Sequence, residues 1–395
     1  MQELGVSSFG PIRTGTVQFG DLTVVVGPQA SGKSLLVQLF KAIADADSIG
    51  RSLKADGFDW LNSKNPLESY VSLYFGEGMG TIWHKDTKIL VDGEPFDFGT
   101  RVVNRSNNIK HLDSVFFIPA QRVLVLQDGW PSPALSRSME VPYCTRHFSN
   151  ILRKLLDSGP TAFGWSIFPS PGRLKVELHR LLDEGIYAGG NLKLENKGMR
   201  KRLVLEPEGS GSSLPYGVWS AGQREFTPLL LGFDWMMPTG KTAKIGHIET
   251  VIIEEPEMGL HPQAIISFCL MVLELLHRGY KVIVSTHSPV VLDVVWALRE
   301  LRSIPKPRAI RALAEIFRLK SLNPQMWDLL RSALKKTCRT FYFERQKDRS
   351  VHIVDISTLD PGAKEESVSG WGGLSAFSGH IADVVGKALS EGGDR

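Results

Sequence analysis

An α/β fold, with a mixed sheet flanked by helices, is the fold class this sequence predicts, and three observations predict it. An apolar run, "LTVVV", leads straight into the glycine-rich stretch "GPQASGKS" and then into the helical spacing of "SLLVQLFKAIADA". Two further apolar strands, "ETVIIEEPE" and "KVIVSTHSP", flank an apolar helix that begins near Ala264. Strands alternating with helices in this way require a sheet covered on both faces.

Taken in order, "TGTVQFGDLTVVV" alternates as a hairpin that feeds the glycine loop. From roughly residue 46 to 110 the pattern breaks into short strands and turns, with "KILVDGEPFDF" as paired strands around Asp92 and Gly93; this reads as an insertion. A buried strand returns in "SVFFIPAQR", followed by a helix at "FSNILRKLLDSG" and a hairpin at "NLKLENKGMRKRLVLEP". Regular structure resumes near residue 220, where "SAGQREFTPLLLGFDWM" reads as a helix kinked by Pro228. After residue 300 come amphipathic helices, one more hairpin in "TFYFERQKDRSVHIVDIS" and a glycine-rich tail. The expected organisation is a head over 1–300, with insertions at about 46–110 and 129–213, and an α+β extension over 301–395 packed on it.

Composition agrees. The 395 residues, 42% of them hydrophobic, suffice for a large packed core. A formal charge of +4 does not by itself imply a nucleic-acid partner. Cys144, Cys269 and Cys338 stand far apart, without the spacing of a zinc site or a disulfide framework, so a reducing compartment is expected. The start lacks a signal-peptide pattern, and the greasiest segment, "AIISFCLMVLELL", is short and carries Glu274. A soluble cytoplasmic protein with no membrane partner follows as the expectation.

The chemistry concentrates in a few stretches. Gly27, Pro28, Gln29, Ala30, Ser31, Gly32, Lys33 and Ser34 have the spacing of a phosphate loop. Backbone N–H groups of such a loop wrap the β-phosphate, Lys33 bridges the outer phosphates, and Ser34 ligates Mg²⁺. Glu254 and Glu255 end a β-branched strand. Because side chains alternate along a strand, Glu254 can face a hydrated Mg²⁺ and Glu255 an attacking water.

"WSAGQRE" adds a third element. Ser220, Ala221, Gly222 and Gln223 start a helix ahead of the double-glutamate strand, and this order resembles the signature motif of ABC-type ATPases. The resemblance implies an ABC-type P-loop ATPase head in which the signature of one copy binds the γ-phosphate held by the other. It also implies a Q-loop role for Gln121, reaching Mg²⁺ and the catalytic water, and a switch role for His287 at the γ-phosphate. Catalytic roles then fall to Glu255, His287 and Gln121, and metal contacts to Ser34, Gln121 and Glu254, with ATP and Mg²⁺ as cofactors. "MGLHP" would be the D-loop, with His261 where transporter ATPases carry Asp. The wording "FIPAQR", "SAGQRE", "IIEEPEMGLHP" and "VSTHSP", with Glu254 in place of Asp, is closest to the SMC, RecF and OLD-like branch. The resemblance covers mainly 1–45, 112–125 and 214–295.

Between Ser34 and Ser220 there are no sustained heptads, so a long coiled-coil arm is not expected. "DISTLD", around Asp355 and Asp360, lacks the Asp-x-Asp spacing of a Toprim nuclease centre. The resemblance then implies a stand-alone head of the kind found in bacterial antiviral defence, a homodimer that senses a trigger and controls a separate effector such as a Toprim-type nuclease. A RecF-like DNA-binding ATPase is the alternative; Lys193, Lys197, Arg200, Lys201 and Arg202 could grip a phosphate backbone or simply solvate a hairpin. Trp371 could anchor a partner or tuck onto its own domain, and Phe9, Arg13 and Phe19 all stay open as adenine contacts.

Overall fold

The computed structural model describes residues 1–104, 112–132, 138–158, 165–169, 174–197, 200–238, 240, 243–374, 381 and 384. Strands β1 (Glu3–Phe9), β2 (Ile12–Gln18) and β3 (Leu22–Val26) come first, and helix α1 (Lys33–Ala44) follows the glycine loop. Where the sequence pattern predicts short strands and turns, two helices form instead: α2 (Ala46–Ala55) and α3 (Pro66–Phe75). They hide from a periodicity reading because each is only ten residues long, and α3 buries Tyr70, Val71, Leu73, Tyr74 and Phe75, a set that reads equally well as a strand. What starts α3 is local chemistry: Asn65 accepts the Glu68 N–H at 3.4 Å, and Pro66 stands in the first turn. The paired strands expected around Asp92 are β4 (Trp83–Val91) and β5 (Glu94–Pro95), turning through positive φ at Asp92 and Gly93.

Next come β6 (Val115–Ile118), the short β7 (Leu126–Gln127) and β8 (Trp130–Pro131), and α4 (Tyr143–Asp157). A second sheet is built from β9 (Trp165–Phe168), β10 (Asn191–Lys197), β11 (Arg200–Glu206) and β12 (Leu214–Pro215), with α5 (Val176–Leu182) before its hairpin. Helix α6 (Ala221–Met236), β13 (Thr250–Glu254), α7 (Pro262–His277), β14 (Lys281–Ser285) and α8 (Pro289–Glu300) complete the regular part. Helices α9 (Lys306–Ile316) and α10 (Pro324–Ala333) lead to β15 (Cys338–Arg345) and β16 (Val351–Asp355).

Among the described residues the main sheet has ten strands in the order β5-β4-β1-β2-β16-β15-β3-β14-β13-β6. From β15 to β6 the pairings are all parallel. The central strands are buried almost throughout, and alternate side chains pack on opposite faces. Val24, Val26, Val251, Ile253, Val282 and Val284 pack on one face with α6, α7 and α8, whereas Val25, Ile252 and Ile283 pack on the other with α1, α2 and α3. The chain after residue 300, expected as an extension on the head, supplies two strands to the middle of this sheet. β15 pairs with β3 from Cys338 opposite Leu22 to Tyr342 opposite Val26, and β16 pairs with β15 on one side and β2 on the other.

Pro228 lies inside α6 without ending it. Proline has no N–H for the carbonyl four residues earlier, and that carbonyl, of Arg224, accepts the Tyr216 hydroxyl instead at 3.1 Å. Cys144, Cys269 and Cys338 are free thiols. Among the described residues, no helix is long and apolar enough to cross a membrane.

Candidate functional site

Four neighbouring parallel strands deliver the predicted motifs to one edge of the sheet. The glycine loop follows β3, His287 follows β14, Glu254 ends β13 with Glu255 just after it, and Ala120 and Gln121 follow β6. Carboxyl ends of parallel strands are where an open α/β sheet holds ligands.

The loop is shaped by its own side chains and by its neighbours. Gly27 has φ 149°, and a Cβ there would stand 2.8 Å from the Phe343 carbonyl oxygen. Lys33 Nζ donates to the carbonyls of Gly27 and Pro28 at 2.8 and 2.9 Å, and Ser31 Oγ donates to Pro28 at 2.8 Å. Helix α1 begins without a side-chain cap, so its first N–H groups are free to meet an anion. Lys33 is buried, and burial lowers its pKa to about 8 despite the nearby carboxylates of Glu255, Glu257 and Glu254.

Glu254 is 3% exposed, and burial pushes its pKa up to about 7 against the pull of the Ser34 hydroxyl and the Ala120 amide. Ala120 N–H donates to its Oε2 at 3.3 Å, while Oε1 is buried and accepts no hydrogen bond. An orphaned carboxylate oxygen beside a serine hydroxyl fits a hard divalent cation. No group of three or more His, Cys, Asp or Glu among the described residues could hold a metal, so such a cation would lean on Ser34, Glu254 and oxygens of the nucleotide.

Glu255 points elsewhere. Its backbone takes φ 41°, a conformation unusual for a non-glycine residue and often found at functional sites. Its Oε1 lies 3.5 Å from His287 Nε2, and that contact holds the carboxyl below its ordinary value. His287 is itself positioned by Glu257, whose Oε1 accepts the His287 backbone N–H at 2.5 Å. Gln121 is exposed, and its side chain makes no hydrogen bond among the described residues. The backbone contact to Glu254 comes instead from its neighbour Ala120.

The residue that sequence reading missed is Arg122. Its side chain is fully buried and donates to the carbonyls of Glu225, Glu254, Glu255 and Pro256 at 2.9 to 3.3 Å. One guanidinium thus joins the strand-end glutamates to the first turns of α6. Position alone, directly after Gln121 in "FIPAQR", was the available signal.

At the start of α6, Ser220 and Gln223 form a capping box: Ser220 Oγ accepts from Gln223 N–H at 3.2 Å, and Gln223 Oε1 accepts from Ser220 N–H at 3.1 Å. The Ser220 hydroxyl only accepts here, so its proton remains free to donate. Ser220 and Ala221 are exposed; Gly222 is closely approached, since a Cβ would stand 3.0 Å from the Gly259 carbonyl oxygen. His261 caps α7 through Nδ1, which accepts the Gln263 N–H at 3.3 Å, the task an aspartate performs at a helix start.

Other candidates fall away from this edge. Phe9 is buried against Phe75 and Trp83, which removes it as an adenine contact. Phe19 lines a cavity of about 730 Å³ at the opposite edge, with Asp21, Lys281, Arg302 and Thr337. Arg13 follows Pro11 and Ile12, which pack on Gly32, and so stays beside the loop. In the basic hairpin Lys193 pairs with Glu206, Arg202 with Glu195 at 2.8 Å and Lys201 with Asp157 at 3.9 Å, the pattern of a solvated sheet face; the Lys197 and Arg200 side chains lie outside the described residues. Trp371 is tucked in, donating to the Leu359 carbonyl at 3.1 Å.

Residues 22–293 match the family described as "AAA domain, putative AbiEii toxin, Type IV TA system". An OLD nuclease of Thermus scotoductus is 24% identical over 363 residues, which cover 80% of this chain and 64% of that relative. Among solved structures, an SMC head domain from Thermotoga maritima is similar at 12% identity and a TM-score of 0.37, covering 90% of this chain and 98% of that one. The Smc head domain from Pyrococcus furiosus with an extended coiled coil, bound to the C-terminal domain of ScpA, is similar at 11% identity and a TM-score of 0.39, covering 90% and 95%.

Proposed function

The chain belongs to the AAA-domain family that its residues 22–293 match, and from that premise we propose that it binds and hydrolyses ATP between two copies of itself. The single observation that carries this reading is the delivery of the loop, His287, the glutamate pair and Gln121 to one edge by β3, β14, β13 and β6. On this reading the loop N–H groups and Lys33 hold the phosphates, and Ser34 and Glu254, with Gln121 reaching in, hold Mg²⁺. The cation's contribution is to neutralise charge on the phosphate oxygens. Glu255 orients a water for in-line attack and accepts its proton, the bond from the γ-phosphorus to the bridging oxygen breaks, and His287 donates to the γ-phosphate oxygens.

The second copy enters through α6. Ser220, Ala221 and the helix N-terminus face outward, as a surface awaiting another copy's γ-phosphate would. Three large apolar side chains on segments next to the start of α6 or packed on that helix, Leu124, Val218 and Met258, are exposed at 47%, 64% and 37%. Hydrolysis removes the shared phosphate and loosens the pair. We take the biological role to be control of a separate effector in bacterial antiviral defence, with a Toprim-type nuclease as the effector class. The likeness to a protein named OLD nuclease, of whose length the chain spans 64%, supports only the link to a nuclease. The ion pairs across the basic hairpin weigh against the RecF-like alternative, in which that hairpin grips DNA.

Glu255→Gln tests the sandwich. The variant keeps ATP binding, loses hydrolysis, and accumulates as a nucleotide-locked dimer in sedimentation with saturating ATP and Mg²⁺. A monomer under those conditions would refute it.

A further inference from the structure

Three consecutive carbonyls of the phosphate loop are turned toward cations. Lys33 Nζ holds those of Gly27 and Pro28, and Arg345 Nη2 holds that of Gln29 at 2.5 Å. Lys33 belongs to the loop itself. Arg345 arrives on β15, from the far end of the sequence.

Its placement is set by sheet pairing. Phe341 lies opposite Val25 and Tyr342 opposite Val26, so the end of β15 runs alongside the loop. Phe343 then packs against Gly27 closely enough to exclude any side chain there. Next door, Arg13 of β2 reaches Asp348 in the turn between β15 and β16 at 3.3 Å, which ties the two hairpins together beside the loop.

The guanidinium is largely uncommitted. Of its five N–H donors, one is used; Arg345 has no other hydrogen bond and no ion pair among the described residues. The acids beside it are engaged elsewhere. Glu344 accepts from Gln346 at 2.7 Å, and Asp348 accepts from Ser350 at 2.6 Å as well as pairing with Arg13. An exposed guanidinium without a carboxylate, fixed by a strand against the apex of an anion-binding loop, has the chemistry of a phosphate ligand.

We propose that Arg345 is a second cationic ligand for the phosphate chain of the nucleotide, closing the cradle from the side opposite His287. The inference rests on the phosphate-loop reading above. It also gives β15 a function beyond completing the sheet, because the strand's last residue touches the same ligand as Lys33.

The test is a calorimetric titration of ATP with Mg²⁺ into the full chain, the Arg345→Ala variant and the Arg345→Lys variant, each at low and high salt. Arg345→Ala should bind ATP about tenfold more weakly and lose affinity less steeply with added salt. Arg345→Lys should recover part of the loss, and both variants should melt like the unmodified protein without nucleotide. Unchanged ATP affinity in Arg345→Ala, beside firm binding by the unmodified chain, would overturn this inference alone. So would weaker binding with an unaltered salt dependence, which would make Arg345 only a brace for Gln29. Failure of the unmodified chain to bind ATP would overturn the loop assignment and this inference together.

Discussion

Lys33 is a cation held in the wrong medium. It is buried, its ammonium group is satisfied by two carbonyls rather than by a carboxylate, and its pKa falls to about 8 from an ordinary 10.5. Between those two values the folded chain holds fewer protons at this position than the unfolded chain, so its cost to stability is fully present below pH 8 and fades as the pH rises toward 10.5. A bound triphosphate favours the charged form and draws the pKa back up. ATP binding should therefore take up a proton near pH 8.5 and weaken as the pH rises from 7 to 9, by about tenfold at most. Titration calorimetry in two buffers of different ionisation enthalpy reads the uptake directly. An equal heat in both buffers at that pH would mean that Lys33 does not meet the phosphates.

Among the elements, the turn after β6 connects most. Arg122 reaches the ends of β13 and the first turns of α6 with one planar group, and it holds the Glu255 carbonyl while that residue sits at φ 41°. Lysine at this position keeps the charge but replaces a five-donor fork by a point donor, leaving buried carbonyls unpaired. Arg122→Lys should cost roughly 3 kcal/mol of stability and lower the hydrolysis rate far more than the ATP affinity. Thermal unfolding and steady-state kinetics separate the two effects; an unchanged turnover number would show that the arginine is only structural. Legibility in the sequence follows the same division. The phosphate loop and the Glu254–Glu255 pair stood out as local patterns, and Ser220 and His287 through the order of motifs that carries the family resemblance; the structure places the loop, the glutamates and His287 along one edge. Arg122 could not be read, because its partners lie at least a hundred residues away and are backbone atoms that no residue type announces. Helices α2 and α3 were illegible for a different reason: both are only ten residues long, α3 is rich in aromatics, and tertiary packing outweighs local pattern in such segments.

For the whole molecule, the position of β15 and β16 decides what can be removed. The sequence places them after a run of helices, as though they were an appendage, yet they lie between β2 and β3. Without them β3 would lose a partner along its full length, from Leu22 to Val26, and Phe341, Phe343 and Val351 would leave the core around α1. The hairpin of β1 and β2 would lose its parallel contact with β16 as well. A chain ending at Thr337 should therefore show no cooperative thermal transition, because two halves of one sheet would have nothing between them. A chain ending at Asp360 keeps all ten strands, together with Ile356 and Leu359, and loses the packing of Trp371 on its own domain, a cost of about 3 kcal/mol. It should melt cooperatively at a lower temperature and still bind ATP. Circular dichroism melts of the two truncations distinguish an integral hairpin from an appended one, and a cooperative, unshifted transition for the shorter chain would contradict the sheet order on which the placement of Arg345 depends.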